Sequence, residues 1–319
     1  MARVLSPTAG PAVAAAFGLG ETATMTGPVA RGEQGQVWRL ETEQGVFAVK
    51  DPFIEILAAD AEADAAYQDL VHRHGVRMPR VVHTLDGAVA LRLDGAPVRV
   101  YEWIDVLPRD RGLDAAEVGR LIAQVHSAVQ PVDEPMPGWY VEPVGADRWH
   151  ALADELRAAH APFADDLAAV LPAVLEVEGL LQPRRATQRC HLDLFSDNVR
   201  RTPAGHLAVL DWENSGPGEP SLELGAALVE FGLEDPARIG ALHAAYVDAG
   251  GPGRVTGPAD LSMVVAQLGH IGELGCRRWL ADASEREHLE GWVREFVDEP
   301  VTPATVERIL AAVSSPRLT

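Results

Sequence analysis

His191, Asp193 and Asn198 stand in the order His-x-Asp-x-x-x-x-Asn, and Asp211 closes the apolar run Leu207-Ala208-Val209-Leu210. An aspartate and an asparagine at this spacing are groups that phosphoryl transfer uses. The carboxylate takes the proton of an attacking hydroxyl, and the amide holds a magnesium ion on nucleotide phosphates. A second carboxylate completes such a metal site, and Asp211 falls where it is needed. The residues between, with Pro203 and Gly205 as punctuation, read as a turn, so a short β hairpin brings Asn198 and Asp211 side by side. Each piece alone is commonplace; their order and spacing carry the weight.

A cation must meet the phosphates. Of 27 basic residues only Lys50 is a lysine, and it ends the β run Val46-Phe47-Ala48-Val49, the setting of the lysine that touches the α and β phosphates in kinases. Lysine is a compact point charge and arginine a planar fork, so the exchange is not neutral in a tight phosphate site. Upstream, Gly32 and Gly35 lie in a connection where backbone N–H groups could approach phosphates. Downstream, the acidic, alanine-rich residues 54–74 have helical composition and offer an acid to hold Lys50. Glu62 is preferred for its longer reach, with Asp64 fitting the spacing about as well and Glu55 a third candidate. The β-like run Val98 to Ile104 leads into a hinge where an adenine pairs with backbone groups, here Glu102 C=O and Ile104 N–H.

These groups need elements to position them. Strands are expected over 22–29, 37–41 and 46–50, forming a small antiparallel sheet, with further β-like runs at 80–83, 89–92 and 98–104. Asp114 followed by Glu117 resembles a capping box, and Val118, Leu121, Ile122 and Val125 recur on one helical face. His126 on that helix reads as a core histidine. Helix is expected over 146–181, broken at Pro162 and Pro172, and again over 222–231, 236–249, 258–281, 284–297 and 303–313, while 214–220 reads as a Gly/Pro loop. The fold class is α+β, with an N-terminal nucleotide-binding lobe over 1–104 and a mostly helical catalytic and acceptor-binding lobe over 105–319.

The 319 residues suffice for such a pair of cores. Forty-seven acids against 27 bases leave a formal charge of −20, which disfavours nucleic acid or an anionic membrane as partner and attracts small cations. Cys190 and Cys276 show neither metal-ligand spacing nor a disulfide framework, which suits a reducing cytoplasm. The alanine-rich residues 11–20 read as a surface helix and not as a signal peptide.

The chain resembles the aminoglycoside phosphotransferases and their relatives, small-molecule kinases with a protein-kinase-like two-lobe fold. The likeness rests on Gly119 to His126, on the loop from His191 to Asn198, and on Asp211-Trp212-Glu213 followed by Pro220 to Leu224. It implies Asp193 as catalytic base, Asn198 and Asp211 as magnesium ligands, Lys50 on the phosphates of ATP or GTP, and His191 as a support of the loop. Glu223 stands where the family usually has Asp, Leu192 where it usually has Gly, and Phe195 where it often has His. The acceptors implied are hydroxylated small molecules: aminoglycosides and other antibiotics, choline-like amines and sugars. A cationic antibiotic is the expected acceptor. A metabolite kinase for a choline-like amine, sugar or nucleoside, or a nucleotide-binding pseudokinase, are the alternatives.

Overall fold

Alternating apolar residues in the first hundred positions build an antiparallel sheet. The computed structural model describes residues 5–31, 35–53, 57–93 and 95–315. In chain order its strands are β1 (Ala23–Arg31), β2 (Gly35–Thr42), β3 (Gly45–Pro52), β4 (Val81–Val82), β5 (Leu91–Leu93), β6 (Ala96–Glu102), β7 (Gln188–Cys190), β8 (Val199–Arg201), β9 (Leu207–Val209) and β10 (Gly216–Gly218). The main sheet runs β1-β2-β3-β6-β4, with β5 on β6. Trp38 and Leu40 of β2 and Phe47 and Val49 of β3 point to one face, as a period of two requires, which leaves Lys50 on the other.

Two compact units make up the chain: Met1–Arg109 with Asp197–Ser215, and Asp110–Ser196 with Gly216–Thr319. The division expected after Ile104 therefore falls short of the first unit's edge, and a segment far along the chain joins that unit. Hydrogen bonds explain the assignment. The β8–β9 hairpin accepts the Leu107 N–H on Arg201 O at 2.7 Å, and Val209 N–H reaches Arg77 O at 2.9 Å.

The first unit also holds α1 (Gly10–Ala16) and α2 (Ala58–Arg73). Helix α1 is the surface helix its alanines suggest, with Pro11, Ala12 and Ala15 exposed and its other face buried. Val13, Ala14 and Phe17 pack with Trp38, Leu40, Val49 and Val100 in one core.

The second unit contains α3 (Ala115–Ser127), α4 (Ala146–Ala158), α5 (Ala164–Glu178), α6 (Pro220–Gly232), α7 (Pro236–Asp248), α8 (Ser262–Ala281), α9 (Arg286–Asp298) and α10 (Pro303–Ser314). Helix α3 starts where the capping signal is read, with Glu117 N–H on Asp114 Oδ1 at 2.8 Å, and buries Val118, Leu121, Ile122 and Val125. A Cβ on Gly119 would lie 2.3 Å from Leu242 O of α7, so glycine is what lets these two helices approach. Trp149, Leu152 and Leu156 of α4 pack with Leu167 and Leu171 of α5 and with Cys276 of α8.

Two expectations fail here. Helix α5 runs through Pro172, so only the Pro162 region breaks the helical stretch. The Gly/Pro stretch after Asn214 contains a strand, β10, paired antiparallel to β7 with Gly216 opposite Cys190. A Cβ on Gly218 would stand 2.6 Å from that of Cys190, so the residues that read as a loop permit a close ladder. No helix among the described residues is long and apolar enough to cross a membrane.

Candidate active site

In the first unit, Lys50 of β3 pairs in register with Arg99 of β6. Two cations side by side on a sheet require acids, and three supply them. Lys50 Nζ lies 2.7 Å from Asp211 Oδ1 and 3.2 Å from Glu213 Oε2. Arg99, with 1% of its surface exposed, lies 3.5 Å from Asp64 Oδ2 and 3.7 Å from Glu213 Oε1. Tyr101 donates to Glu213 at 3.2 Å, and Ser215 donates to Asp64 at 3.1 Å. Burial works against the Lys50 charge, but Asp211 and Glu213 outweigh it and raise the ammonium's pKa above its ordinary value.

This geometry corrects the choice of helix acid. Glu62 is exposed on α2, and the counter-ions of Lys50 are Asp211 and Glu213. Asp64, buried on α2, serves Arg99 instead. Glu55 and Gly32 lie outside the described residues. Gly35 opens β2 opposite Pro52, where an added Cβ would stand 2.8 Å from Asp51 O; its lack of a side chain serves the ladder. At the far end of β6, Glu102 N–H donates to Arg80 O at 2.8 Å and Trp103 N–H to Val46 O at 3.1 Å, with Ile104 one residue beyond.

Asn198 and Asp211 flank the open end of the hairpin, Asn198 just before β8 and Asp211 two residues after β9. Val199 pairs with Val209, and Leu210 N–H donates to Asn198 O at 2.8 Å, so the expected juxtaposition is present. Asp211 adopts a left-handed φ of 56° ahead of a 3-10 turn at Trp212–Asn214 that its side chain does not cap. Its carboxylate is 45% exposed. An amide oxygen and a half-exposed carboxylate on neighbouring backbone positions are hard oxygen donors that suit magnesium, a cation that keeps waters and takes its other ligands from phosphates.

In the second unit, Asp193 follows β7 and is partly buried. The peptide before it is held from both sides. Leu192 N–H donates to Glu223 Oε1 of α6, and Leu192 O accepts from Gln267 Nε2 of α8 at 3.1 Å. Leu192 has φ 65°, a conformation glycine adopts freely and that costs another residue about 1 kcal/mol. Glu223 is fully buried, and its other oxygen meets His126 Nε2 at 2.8 Å, while His126 Nδ1 meets Tyr246 OH at 2.8 Å. Tyr246 OH accepts from Gly253 N–H at 2.8 Å, which leaves its proton for His126 Nδ1 and the histidine's Nε2–H for Glu223. His126 is thus the core histidine expected, with an added role in holding Glu223. Further along the loop, Ser196 donates through N–H and hydroxyl to Glu230.

Sequence reading missed Glu213, Arg99 and Gln267. Arg99 alternates with Val98 and Val100, which face the other side of β6, a pattern that reads as an arginine turned to solvent, so its burial had no local signal.

Residues 26–258 match the model of the phosphotransferase enzyme family, and the chain belongs to that family. It is similar to the homoserine kinase of Pseudomonas aeruginosa, 32% identical over 195 residues that cover 56% of this chain and 58% of that enzyme. The chain thus spans little more than half the length of that relative. Among solved structures, the aminoglycoside phosphotransferase of Alicyclobacillus acidocaldarius aligns with a TM-score of 0.59 at 18% identity, covering 93% of this chain and 97% of that one. A spectinomycin phosphotransferase bound to ADP and spectinomycin aligns with a TM-score of 0.64 at 15% identity, covering 91% and 92%. At such identities the likeness establishes the fold, the protein-kinase-like two-lobe α+β architecture.

Proposed function

We propose that this protein is an ATP-dependent O-phosphotransferase that moves the γ-phosphoryl group to a hydroxyl of a small molecule bearing an amino group. The observation that carries the proposal is the Lys50 ammonium, held 2.7 Å from Asp211 on the hairpin that also presents Asn198. In a nucleotide complex Lys50 neutralises phosphate oxygens, and Asn198 and Asp211 would hold magnesium, which supplies further neutralisation of the charge that develops on transfer. The backbone at Glu102 and Ile104 would receive the adenine. Asp193, on a loop braced by Glu223 and Gln267, orients the acceptor hydroxyl and takes its proton as the oxygen attacks in line. No covalent enzyme intermediate is required.

GTP remains an alternative donor. For the acceptor, a cationic antibiotic is supported by the charge of −20, which concentrates cations near the surface. A second reading, an amino acid carrying a hydroxyl, is supported by the 32% identity to homoserine kinase. Both acceptors share an ammonium group. Two free, buried cysteines support a cytoplasmic setting.

The test is a nucleotide-consumption screen over antibiotics, amines, hydroxy amino acids and sugars, followed by two variants. Asp193→Asn should lower turnover by roughly 10²–10⁴-fold while nucleotide binding survives. Asp211→Asn should weaken magnesium-dependent nucleotide binding as well. Unchanged turnover in both variants ends the kinase reading, and nucleotide binding without consumption on any acceptor leaves the pseudokinase.

A further inference from the structure

We infer that a cup on the second unit, walled by Trp139, Glu142, Arg148, His270, Glu273 and Arg277, is the acceptor subsite and selects a small hydroxylated zwitterion, one bearing both carboxylate and ammonium. The inference rests on the phosphotransferase reading above and names its acceptor class.

The cup, of about 390 Å³, lies between the 3-10 turn Gly138–Tyr140, the start of α4 and the middle of α8. Its volume is that of a small-ligand pocket. One wall is cationic. Glu273 is 4% exposed and accepts from Arg148 Nε at 3.1 Å and from its Nη2, and from Arg277 Nε at 2.8 Å. Burial opposes its ionisation, but the two guanidiniums prevail and hold its carboxyl below the usual carboxylate range. A purely structural ion pair closing α4 on α8 would need one arginine. Here the second leaves a positive charge over, and both arginine side chains are about half exposed, 51% and 46%, with five N–H donors on each guanidinium to share between Glu273 and a ligand carboxylate. Such charge-assisted bonds are the strong ones.

The rest of the lining holds an acid and a flat aromatic pair. The Glu142 carboxylate lies against the turn, with Oε2 2.8 Å from where a Cβ on Gly138 would stand, and offers itself to an ammonium. Trp139 stacks on His270 with centroids 5.0 Å apart and planes at 20°, and His270 is fixed by Nε2–H to Glu142 O at 3.0 Å. This face receives the aliphatic stem and adds a cation–π contribution. The helix that walls the cup also carries Gln267, one turn before His270, whose Nε2 donates to Leu192 O at 3.1 Å in the peptide next to the proposed base. The same helix therefore lines the cup and braces the Asp193 loop. Other acids on the later helices of this unit are engaged away from the cup. Glu230 braces Ser196, Asp235 caps α7 through Ala237 N–H, Asp282 bonds Ser284, Glu234 pairs with Arg308, and Glu285 stands at the N-cap of α9. A polycation would meet two guanidiniums; a zwitterion meets a complementary group at each end.

The experiment uses the full chain with L-homoserine, with 3-amino-1-propanol, which keeps hydroxyl and ammonium but lacks the carboxylate, and with kanamycin. Binding is measured by calorimetry and transfer by product formation. The zwitterion should bind and react at least about tenfold better than the amino alcohol, and Arg277→Gln and Arg148→Gln should each raise its KM by roughly 10–100-fold, leaving KM for ATP unchanged. Should either variant fail to fold, the ligand comparison alone decides. Zwitterion binding without phosphorylation keeps the cup and removes the phosphotransferase reading. Transfer to an acceptor without a carboxylate, insensitive to both substitutions, keeps the phosphotransferase reading and overturns the cup. Absence of both binding and reaction for hydroxylated zwitterions also overturns it.

Discussion

The Lys50 cluster and the Asp193 loop hold charged groups by opposite means. Around Lys50, side-chain charges meet side-chain charges: Asp211 and Glu213 on the lysine, Asp64 and Glu213 on Arg99. Before Asp193 the backbone is gripped instead, with Glu223 on the Leu192 N–H and Gln267 on its carbonyl. On the roles proposed above, the difference follows from what each group would do. A cation that receives phosphate must exchange partners, so it keeps counter-ions that a ligand can displace. A base must keep one orientation, so its chain is fixed by buried partners it never gives up.

The sharpest way to break this contrast is Glu223→Ala. It strands the Leu192 N–H and the His126–Tyr246 pair in the interior, and should lower unfolding free energy by about 3 kcal/mol, read from denaturant melts. Glu223→Asp, the residue usual in this family, should lose less, because the same two donors remain within reach of a carboxylate. A change under about 0.5 kcal/mol in the alanine variant would show that the loop is held by something else.

A smaller effect separates the acids of α2. Asp64→Asn leaves the Arg99 guanidinium, 1% exposed, with only Glu213 as a charged partner, and should destabilise by about 1–2 kcal/mol. Glu62→Ala, on the exposed face, should stay within about 0.5 kcal/mol. The reverse ranking would restore Glu62 as the functional acid.

The contrast also marks what the sequence could show. The proposed roles of Asp193, Asn198, Asp211 and Lys50 were legible because each belongs to a local pattern: a loop spacing, an acid ending an apolar run, a lysine ending a strand. Asp64 was not distinguished from Glu62, because α2 is alanine-rich and only weakly amphipathic, and the residue that decides its buried face, Arg99, lies far along the chain. The β10 ladder was invisible for a related reason: Gly216-Pro217-Gly218 carries turn residues, yet Gly218 is what allows approach to Cys190. The cup joins a turn near position 139 to helix residues near 273, and no local spacing announces such a meeting.

The smallest expected effect tests the exchangeable side of the comparison. Lys50 is the only lysine, so an amine-acylating reagent reports one side chain besides the α-amino group. Its pKa is raised by Asp211 and Glu213 against the opposing influence of burial. The paired ammonium is therefore complete below an ordinary lysine pKa and is lost only as pH rises through the raised value. At about pH 9 the reactive neutral amine is thus scarcer than in an unpaired lysine, and labelling should be slow. Asp211→Asn removes the nearer charge, lowers the pKa and should speed labelling by roughly three- to tenfold, one pKa unit being tenfold in neutral amine. Nucleotide with magnesium should protect the wild-type side chain, since phosphates then take the place of the carboxylates. An unchanged labelling rate in Asp211→Asn, or labelling indifferent to nucleotide, would mean that the lysine is held as rigidly as the Leu192 peptide, and the distinction between the two regions would fall.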